Sequence, residues 1–359
     1  MSKITSGARR NGADQGLWRE APDTDGSRRS TMNSLLANRN ILITGGLGFL
    51  GSSLAVKLIE CGARVTVIDN LNPLYGGNLF NIAGAVDRIE VIVDDVRNLA
   101  ILEPLIEKAE TMFHLAAQVS YIDSLAMPYE DLDLNAKATL GVLESCRRLN
   151  PGLRILFSSS RMTYGRVEGP LVTETSSTNP LSLYGIHKLT AEKYLLMYFR
   201  DFGIPSTILR LTNPYGPRQQ IKHSKYSLVG WFVRQAMAGN VIKVFGDGGQ
   251  LRDYVFVDDI VTAMLRCAEA RSAVGEVINV GSGQSTRFRD MVRCVIECVN
   301  RGRMEFVPWP DNYERVETGD INVDISKLKS LTSWEPVYTL EEGIQRTFEY
   351  YSKYASHYV

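Results

Sequence analysis

The stretch TGGLGFLG at residues 44–51 decides the fold of this chain of 359 residues. It follows an apolar run at residues 41–43 and precedes apolar residues at helical spacing, namely Leu54, Ala55, Leu58 and Ile59. That order predicts a strand, a glycine turn and a helix. Glycines at 45, 48 and 51 let the backbone turn tightly, let a pyrophosphate approach the main chain, and let the helix pack close to the strand. The stretch therefore predicts a dinucleotide-binding site.

The residue that ends the next strand indicates which dinucleotide binds. Residues 64–68 form the second predicted strand, and Asp69 follows them directly. A carboxylate at this point accepts hydrogen bonds from a ribose 2′-OH and repels a 2′-phosphate. Asp69 therefore favours NAD over NADP.

The chain continues as an alternation of strands and helices. The pattern predicts strands at 90–93, 111–115, 154–158 and 206–211, and helices at 132–149 and 183–202. Strands separated by helices imply right-handed crossovers and a parallel sheet covered on both faces, which is a doubly wound α/β fold of the Rossmann type. Ligands of such sheets bind at the carboxyl ends of the strands. The residues at or just beyond those ends are Gly45, Asp69, Asp95, Ala116, Ser160 and Asn213, and we expect them to share one site.

We expect three parts in the chain, of which only the first is set apart by its composition. Residues 1–38 are polar and lack apolar periodicity, so they predict a mobile tail, with Met32 as an alternative start. Residues 39–217 predict the NAD-binding domain, which also carries the catalytic residues. Residues 218–359 predict mainly a smaller α/β cap that binds substrate, with a segment at about 250–285 returning to the main sheet.

A tyrosine and a lysine at helical spacing predict redox chemistry on a hydroxyl group. Tyr184 and Lys188 stand at positions i and i+4, and such side chains share one helix face. A neighbouring ammonium favours the phenolate and lowers the pKa of a tyrosine. The phenolate can then take a proton from a sugar or alcohol hydroxyl while hydride leaves the same carbon.

Composition also excludes several classes of partner. The 40 basic residues balance 40 acidic ones, so no nucleic-acid or acidic-membrane partner is indicated. No apolar run approaches the roughly 20 residues that cross a bilayer. The five cysteines, at positions 61, 146, 267, 294 and 298, lack metal-ligand spacing and predict no metal site. Unpaired thiols suit a reducing cytoplasm, where we expect the protein to work.

Taken together, the motifs resemble the extended short-chain dehydrogenase/reductase family, and within it the NAD-dependent nucleotide-sugar epimerases and dehydratases of the UDP-glucose 4-epimerase kind. Besides TGGLGFLG, the shared motifs are DDV at 94–96, HLAA at 114–117, Asn135, SSS at 158–160 before YG at 164–165, YGIHK at 184–188, RLTNPYGPR at 210–218, FGDGGQLRDY at 245–254 and NVG at 279–281. The likeness extends from residue 39 to the C-terminus.

The resemblance implies a role for each matching position. The implied catalytic residues are Ser160, Tyr184 and Lys188. The implied cofactor-binding residues are Gly45, Gly48, Phe49, Leu50, Gly51, Asp69, Asn70, Asp95, Val96, Leu115, Ala116, Ala117, Asn135, Tyr184 and Lys188. Ser160, Asn213 and Arg252 would contact a nucleotide-diphosphate sugar, although Arg252 also suits a salt bridge with Asp253. Family members commonly form homodimers by pairing helices, which the apolar residues Leu189, Leu195, Leu196 and Phe199 permit here.

The residues after Ser160 favour one reaction. In the resembling 4,6-dehydratases Asp-Glu follows the catalytic hydroxyl residue, and in decarboxylases a Glu stands two positions after it. Arg161 and Met162 hold these places here and supply neither acid nor base. We therefore expect an NAD-dependent 4-epimerase that acts through a 4-keto sugar. A dehydratase, decarboxylase or reductase of the same family is the alternative, and a non-catalytic NAD-binding scaffold is a further one.

Two positions depart from the family pattern. Many UDP-sugar members have Arg-x-Gly-Asp near the C-terminus, with the Arg on phosphate, whereas this chain has ETGD at 317–320. Arg315 or Arg218 would then substitute, or the nucleotide is not UDP. Arg161 is unusual beside the catalytic hydroxyl. A structural salt bridge and a contact with an acidic sugar such as a hexuronate are equally compatible with it.

Overall fold

The computed structural model describes residues 35–72, 74–167, 169, 171–225, 227–310 and 317–359. Its main sheet has seven strands, all parallel, in the order β10-β6-β5-β4-β1-β2-β3. Their bounds are β1 Asn40–Thr44, β2 Arg64–Asp69, β3 Ile89–Val93, β4 Thr111–His114, β5 Arg154–Ser160, β6 Ser206–Leu211 and β10 Val277–Val280. The predicted α/β fold with a parallel Rossmann-type sheet is confirmed.

Helices cover both faces of this sheet. They are α1 Phe49–Glu60, α2 Leu99–Lys108, α3 Asp123–Ala126, α4 Pro128–Leu132, α5 Ala138–Leu149, α6 Leu183–Phe202 and α8 Val257–Glu269. One apolar core contains Leu54 and Leu58 of α1 together with residues of the cap, and a second contains Val142 of α5 and Leu195 of α6. The strand order reverses between β1 and β4, which is where open sheets of this kind bind ligands.

The cap contains two small sheets. One holds β7 Asn213–Tyr215, β9 Leu251–Phe256 and β11 Ser285–Arg287, and the other holds β8 Val241–Phe245 and β12 Arg303–Val307. The remaining helices are α7 Leu228–Met237, α9 Phe288–Val299, α10 Ser326–Thr332 and α11 Leu340–Tyr354. Of the segment expected at about 250–285 to rejoin the main sheet, only β10 does so, because β9 pairs with β7 and β11.

Several element boundaries differ from the sequence prediction. The predicted helix at 132–149 begins at Pro128 and runs through a π-helical turn at Asp133–Lys137, which contains Asn135. Strand β5 continues to Ser160, two residues beyond its predicted end. The predicted tail lies outside the described residues except for 35–38, where Leu36 is buried in the core.

Candidate active site

One large cavity lies between the carboxyl edge of the main sheet and the cap. Its volume is about 620 Å³, and its wall runs from the glycine turn to the aromatic residues of the cap. Gly45 and Asp69 mark one end, which we call the glycine-turn end. Ser160, Arg161, Tyr184 and Tyr254 surround what we call the sugar end. The cavity therefore joins the two groups of residues that the sequence placed at strand ends.

The glycine-turn end leaves no space for side chains. Gly45 has a φ of +70°, and a Cβ there would lie 2.8 Å from the backbone nitrogen of Ala116. A Cβ on Gly51 would lie 2.1 Å from the carbonyl oxygen of Gly45, far inside van der Waals contact. Helix α1 begins directly after Gly48, so its free backbone N–H groups face this turn. The turn fits the pyrophosphate of a dinucleotide.

Asp69 fixes the shape of this turn. Its carboxylate accepts hydrogen bonds from the backbone nitrogens of Leu47 at 2.9 Å and Leu71 at 2.8 Å. Burial raises the pKa of Asp69, and these backbone bonds oppose the rise. The side chain lines the cavity at the end of β2, where a ribose would lie. Asp69 therefore both holds the turn and offers the acceptor that the sequence predicted.

The wall of the cavity contains most of the predicted cofactor-binding positions. They are Gly45, Gly48, Phe49, Leu50, Gly51, Asp69, Asn70, Val96, Leu115, Ala116, Ala117, Tyr184 and Lys188. Two predicted positions lie off the wall. The carboxylate of Asp95 binds Arg97 and Asn70, and its hydrogen bond with Arg97 lowers its pKa to about 2. Asn135 donates to the carbonyl of Gln118 at 3.0 Å.

The two predicted catalytic side chains of α6 line the cavity. Ser182 caps the helix by accepting a hydrogen bond from the backbone nitrogen of Gly185 at 3.2 Å. Tyr184 lies in the first turn, and Lys188 follows one turn later on the same face. The ammonium of Lys188 donates to the carbonyl of Ser158 at 2.9 Å and lies 4.7 Å from the ring centre of Phe157. Lys188 is thereby anchored to the end of β5.

The pKa of Tyr184 differs from the sequence expectation. Burial raises it to about 12, and the groups that oppose this rise are Ser160 and Arg161, not Lys188. Burial also lowers the pKa of Lys188 to about 8. The reason is that Tyr184 loses the hydration of its phenolate while the lysine ammonium is directed at a backbone carbonyl. When neither cofactor nor substrate is considered, a pKa of about 12 keeps the phenol of Tyr184 protonated at neutral pH.

The serine triplet at the end of β5 has divided roles. The Oγ of Ser160 accepts a hydrogen bond from the backbone nitrogen of Met162 at 3.2 Å and faces the cavity. Ser159 bonds to Glu192, which also pairs with the guanidinium of Arg210 at 2.6 Å. These residues are buried and brace β5 and β6 against α6. Ser160 is therefore the serine whose hydroxyl is placed to hold a reacting oxygen.

The expected substrate residues form one network with Arg161. The Nε of Arg161 donates to the Oδ1 of Asn213 at 3.3 Å, and its Nη1 donates to the Oγ1 of Thr318 at 3.0 Å. Arg252 donates to the carbonyls of Leu251 and Gly319 and forms an ion pair with Glu317. Arg252 therefore does not pair with Asp253, which was the alternative expected from the sequence.

The network bears on whether Arg161 forms a structural salt bridge or is available to contact the substrate. Within the described chain Arg161 forms no ion pair, so the structural salt bridge is not seen. Burial, together with the like charge of Arg252, lowers its pKa to about 10. Of the two residues proposed to replace the missing family arginine, Arg315 lies outside the described residues, and Arg218 donates to the carbonyl of Asn81 away from the cavity wall.

The sequence did not predict two pairs of interacting side chains that lie near the expected catalytic residues. His187, next to Lys188, bonds through Nδ1 to the buried carboxylate of Asp131 at 2.5 Å. Glu317 was noted as a departure from the family, but its partner Arg252 was not foreseen. No local pattern links either pair, because Asp131 and Glu317 lie far from their partners in the chain. The adjacency of His187 to Lys188 was the one available signal.

The described residues contain neither a membrane-spanning helix nor a group of side chains arranged as a metal site. None of the described helices has the length and apolar character to cross a membrane. Among the described residues, no group of three or more His, Cys, Asp or Glu side chains is arranged to hold a metal ion.

Comparison with known proteins identifies the family. The profile of the NAD dependent epimerase/dehydratase family matches residues 41–281. The UDP-glucose 4-epimerase of Mycolicibacterium smegmatis is 32% identical over 314 residues, which cover 86% of this chain and 97% of that protein.

Two crystal structures have the same fold. The UDP-glucose 4-epimerase of Thermotoga maritima, solved with UDP-glucose, superposes with a TM-score of 0.81 at 33% identity over 88% of this chain and 99% of that one. The UDP-glucuronic acid 4-epimerase of Bacillus cereus, solved with UDP-glucuronic acid and NAD, superposes with a TM-score of 0.76 at 27% identity over 88% and 99%. These matches confirm the resemblance seen in the sequence. The chain belongs to the NAD-dependent epimerase/dehydratase family, and NAD is its cofactor.

Proposed function

We propose that the protein is a nucleotide-sugar 4-epimerase that oxidises and then reduces C4 of its substrate. The observation that carries this proposal is the set of carboxylates on the cavity wall. In the described chain these are Asp69, Asp94 and Glu317. Asp69 and Asp94 lie at the glycine-turn end, and Glu317 pairs with Arg252. Among the described residues, the sugar end therefore holds no unpaired carboxylate that could serve as the second acid or base that elimination of water requires.

The side chains present are enough for the simpler reaction. As the phenolate, Tyr184 would take the proton of the C4 hydroxyl, and Ser160 would hold the same oxygen through a hydrogen bond. NAD, when bound, would supply the acceptor and the donor of the hydride. The charge of Arg161 and the hydroxyl of Ser160 favour the phenolate of Tyr184. Lys188, fixed by Ser158, supplies a nearby positive charge and would hold the nicotinamide ribose.

Epimerisation requires that the 4-keto sugar rotate inside the cavity. The sugar then presents its opposite face, and Tyr184 gives the proton back to the C4 oxygen. Because oxidation and reduction balance, the reaction consumes no external reductant. The relatives named above act on UDP-sugars, which supports a nucleotide-diphosphate sugar as substrate. The cap residues Trp231, Phe245 and Trp309 line the far wall, where a base would stack.

We also propose a cytoplasmic homodimer. Exposed apolar side chains cluster on α4 and α6, with Tyr129 81% exposed, Ile186 44% exposed and Leu132 40% exposed. A second copy would cover them in a bundle of paired helices. Leu195, expected in that interface, is buried within the subunit instead. All five cysteines are free thiols, as a reducing compartment favours.

Product analysis tests the reaction. Purified protein is incubated with UDP-, dTDP-, GDP- and CDP-sugars, and the products are resolved by NMR, while NADH is followed by absorbance. We expect a C4 epimer without net NADH release. Loss of water or carbon dioxide would assign the chain to the dehydratases or decarboxylases, and stoichiometric release of NADH would assign it to the dehydrogenases or reductases.

Sedimentation velocity tests the dimer, with Ile186→Glu as the variant that should yield monomers.

A further inference from the structure

We propose that the sugar of the substrate carries a carboxylate, bound at the sugar end of the cavity by Arg161 and Tyr254. This inference rests on the proposed function and specifies its substrate class. Arg161 directly follows Ser160, so its side chain extends from the end of β5 into the part of the cavity where the sugar reacts. Tyr254 reaches the same wall from β9, where it lies opposite Asn213 in the parallel pair with β7.

Arg161 is held in place with donor capacity to spare. Its bonds to Asn213 and Thr318 use Nε and Nη1 and fix the plane of the guanidinium. Within the described chain, Nη2 donates to no acceptor. The neighbouring carboxylate of Glu317 is paired with Arg252, so it offsets the charge of Arg161 only in part. A fixed guanidinium with free N–H groups is suited to bind a planar carboxylate.

The hydroxyl of Tyr254 is a second polar group that lacks a partner. The residue is 5% exposed, and its oxygen is buried without a hydrogen bond to any described residue. An unsatisfied buried hydroxyl destabilises a protein, so a ligand that accepts a hydrogen bond from it is favoured. Burial raises the pKa of Tyr254, which keeps the proton in place for donation, and the charges of Arg252 and Arg161 oppose that rise.

The charge balance favours an acidic sugar over a neutral one. Arg161 and Arg252 contribute two positive charges to this part of the wall, and Glu317 contributes one negative charge. With a neutral sugar the charge of Arg161 would stay partly buried and without an ion-pair partner among the described residues, which is costly. One carboxylate restores the balance and accepts from both Arg161 and Tyr254. A diphosphate at Arg161 is the competing assignment, and it predicts equal effects on every nucleotide.

The test is calorimetric binding of UDP, UDP-glucose and UDP-glucuronate to the Tyr184→Phe protein, which holds the ligands without turnover. We expect UDP-glucuronate to bind at least about tenfold more tightly than UDP-glucose, as a charge-assisted hydrogen bond gives. Arg161→Gln and Tyr254→Phe should each remove most of that preference and leave UDP binding unchanged. Arg271→Gln is the matched control, because Arg271 is exposed and lies off the cavity wall.

Equal binding of the two sugars overturns the inference, and so does binding of UDP without binding of either sugar. Equal weakening of UDP and both sugars by Arg161→Gln also overturns it and makes Arg161 a diphosphate ligand. The proposed function is judged separately by the products of the wild-type protein. Epimerisation of neutral sugars without a preference for acidic ones refutes the inference alone. A preference for UDP-glucuronate with loss of carbon dioxide refutes the proposed reaction and supports the inference.

Discussion

His114 connects the glycine turn to the helix that carries the π turn, and acid should break this connection. Thr139 Oγ1 donates to the carbonyl of Asn135 at 3.0 Å, so it accepts from the Nε2–H of His114 at 3.2 Å. The unprotonated Nδ1 of His114 then accepts from the hydroxyl of Thr44 at 2.8 Å. That hydroxyl in turn accepts from the backbone nitrogens of Leu115 and Ala116, each at 3.2 Å. A second proton on His114 would abolish the bond from Thr44.

The size of the effect follows from the pKa of His114. Burial lowers it from 6.5 to about 3, and the charge of Lys188 adds to this. Because the folded state binds the proton less well than the unfolded state, stability is full above the unfolded pKa and falls as pH drops below it. Between about pH 7 and about pH 5 the loss from this one group is about 2 kcal/mol.

Urea unfolding of the wild type and His114→Gln at both pH values isolates this contribution. The substitution also changes the free energy of unfolding by an amount that does not depend on pH, and comparing the two pH values cancels that amount. The difference in the free energy of unfolding between the wild type and His114→Gln should therefore narrow by about 2 kcal/mol on acidification. His357→Gln is the control, because His357 is exposed on the surface. A gap that stays constant with pH would refute the assignment of His114 as a buried neutral histidine.

Three further predictions concern residues of the site and its support. Tyr184→Phe should reduce turnover by at least about a hundredfold, as loss of an acid–base group does, while NAD stays bound; retained turnover would refute its role. Gly51→Ala should release NAD, because its Cβ would lie 2.1 Å from the carbonyl oxygen of Gly45, and NAD content after gel filtration measures this. Glu192→Gln should destabilise the fold by about 3–5 kcal/mol, since Arg210 would lose a buried partner, whereas Glu60→Gln, which breaks the exposed pair with Lys57, should cost under about 1 kcal/mol in the same unfolding assay.

Local sequence patterns sufficed for the main sheet and the glycine turn. The strand, turn and helix around TGGLGFLG are set by short-range sterics, since only glycine fits where Gly51 meets Gly45. Helix α6 has the bounds predicted for it, because Ser182 caps its start and Gly203 adopts a left-handed conformation at its end.

Features that depend on distant residues could not be read from the sequence. The pair of Arg252 and Glu317 joins strand β9 to a residue outside any strand, 65 positions further along the chain. The π turn at Asp133–Lys137 follows from packing of the helix, and local spacing gives no sign of it. The spacing of Tyr184 and Lys188 predicted their shared face, but burial set the pKa of the tyrosine. Desolvation is a property of the folded surroundings and has no local signature.

The fate of a deuterium at C4 tests the proposed reaction most directly. A nucleotide sugar that the enzyme turns over is labelled at C4 with deuterium, and the product is examined by NMR. If Tyr184 and Ser160 act on the C4 hydroxyl as described, the deuterium remains at C4 of a sugar inverted at that carbon, and none enters water. Deuterium at C6, deuterium in released NADH, or a product that has lost water or carbon dioxide would contradict the account.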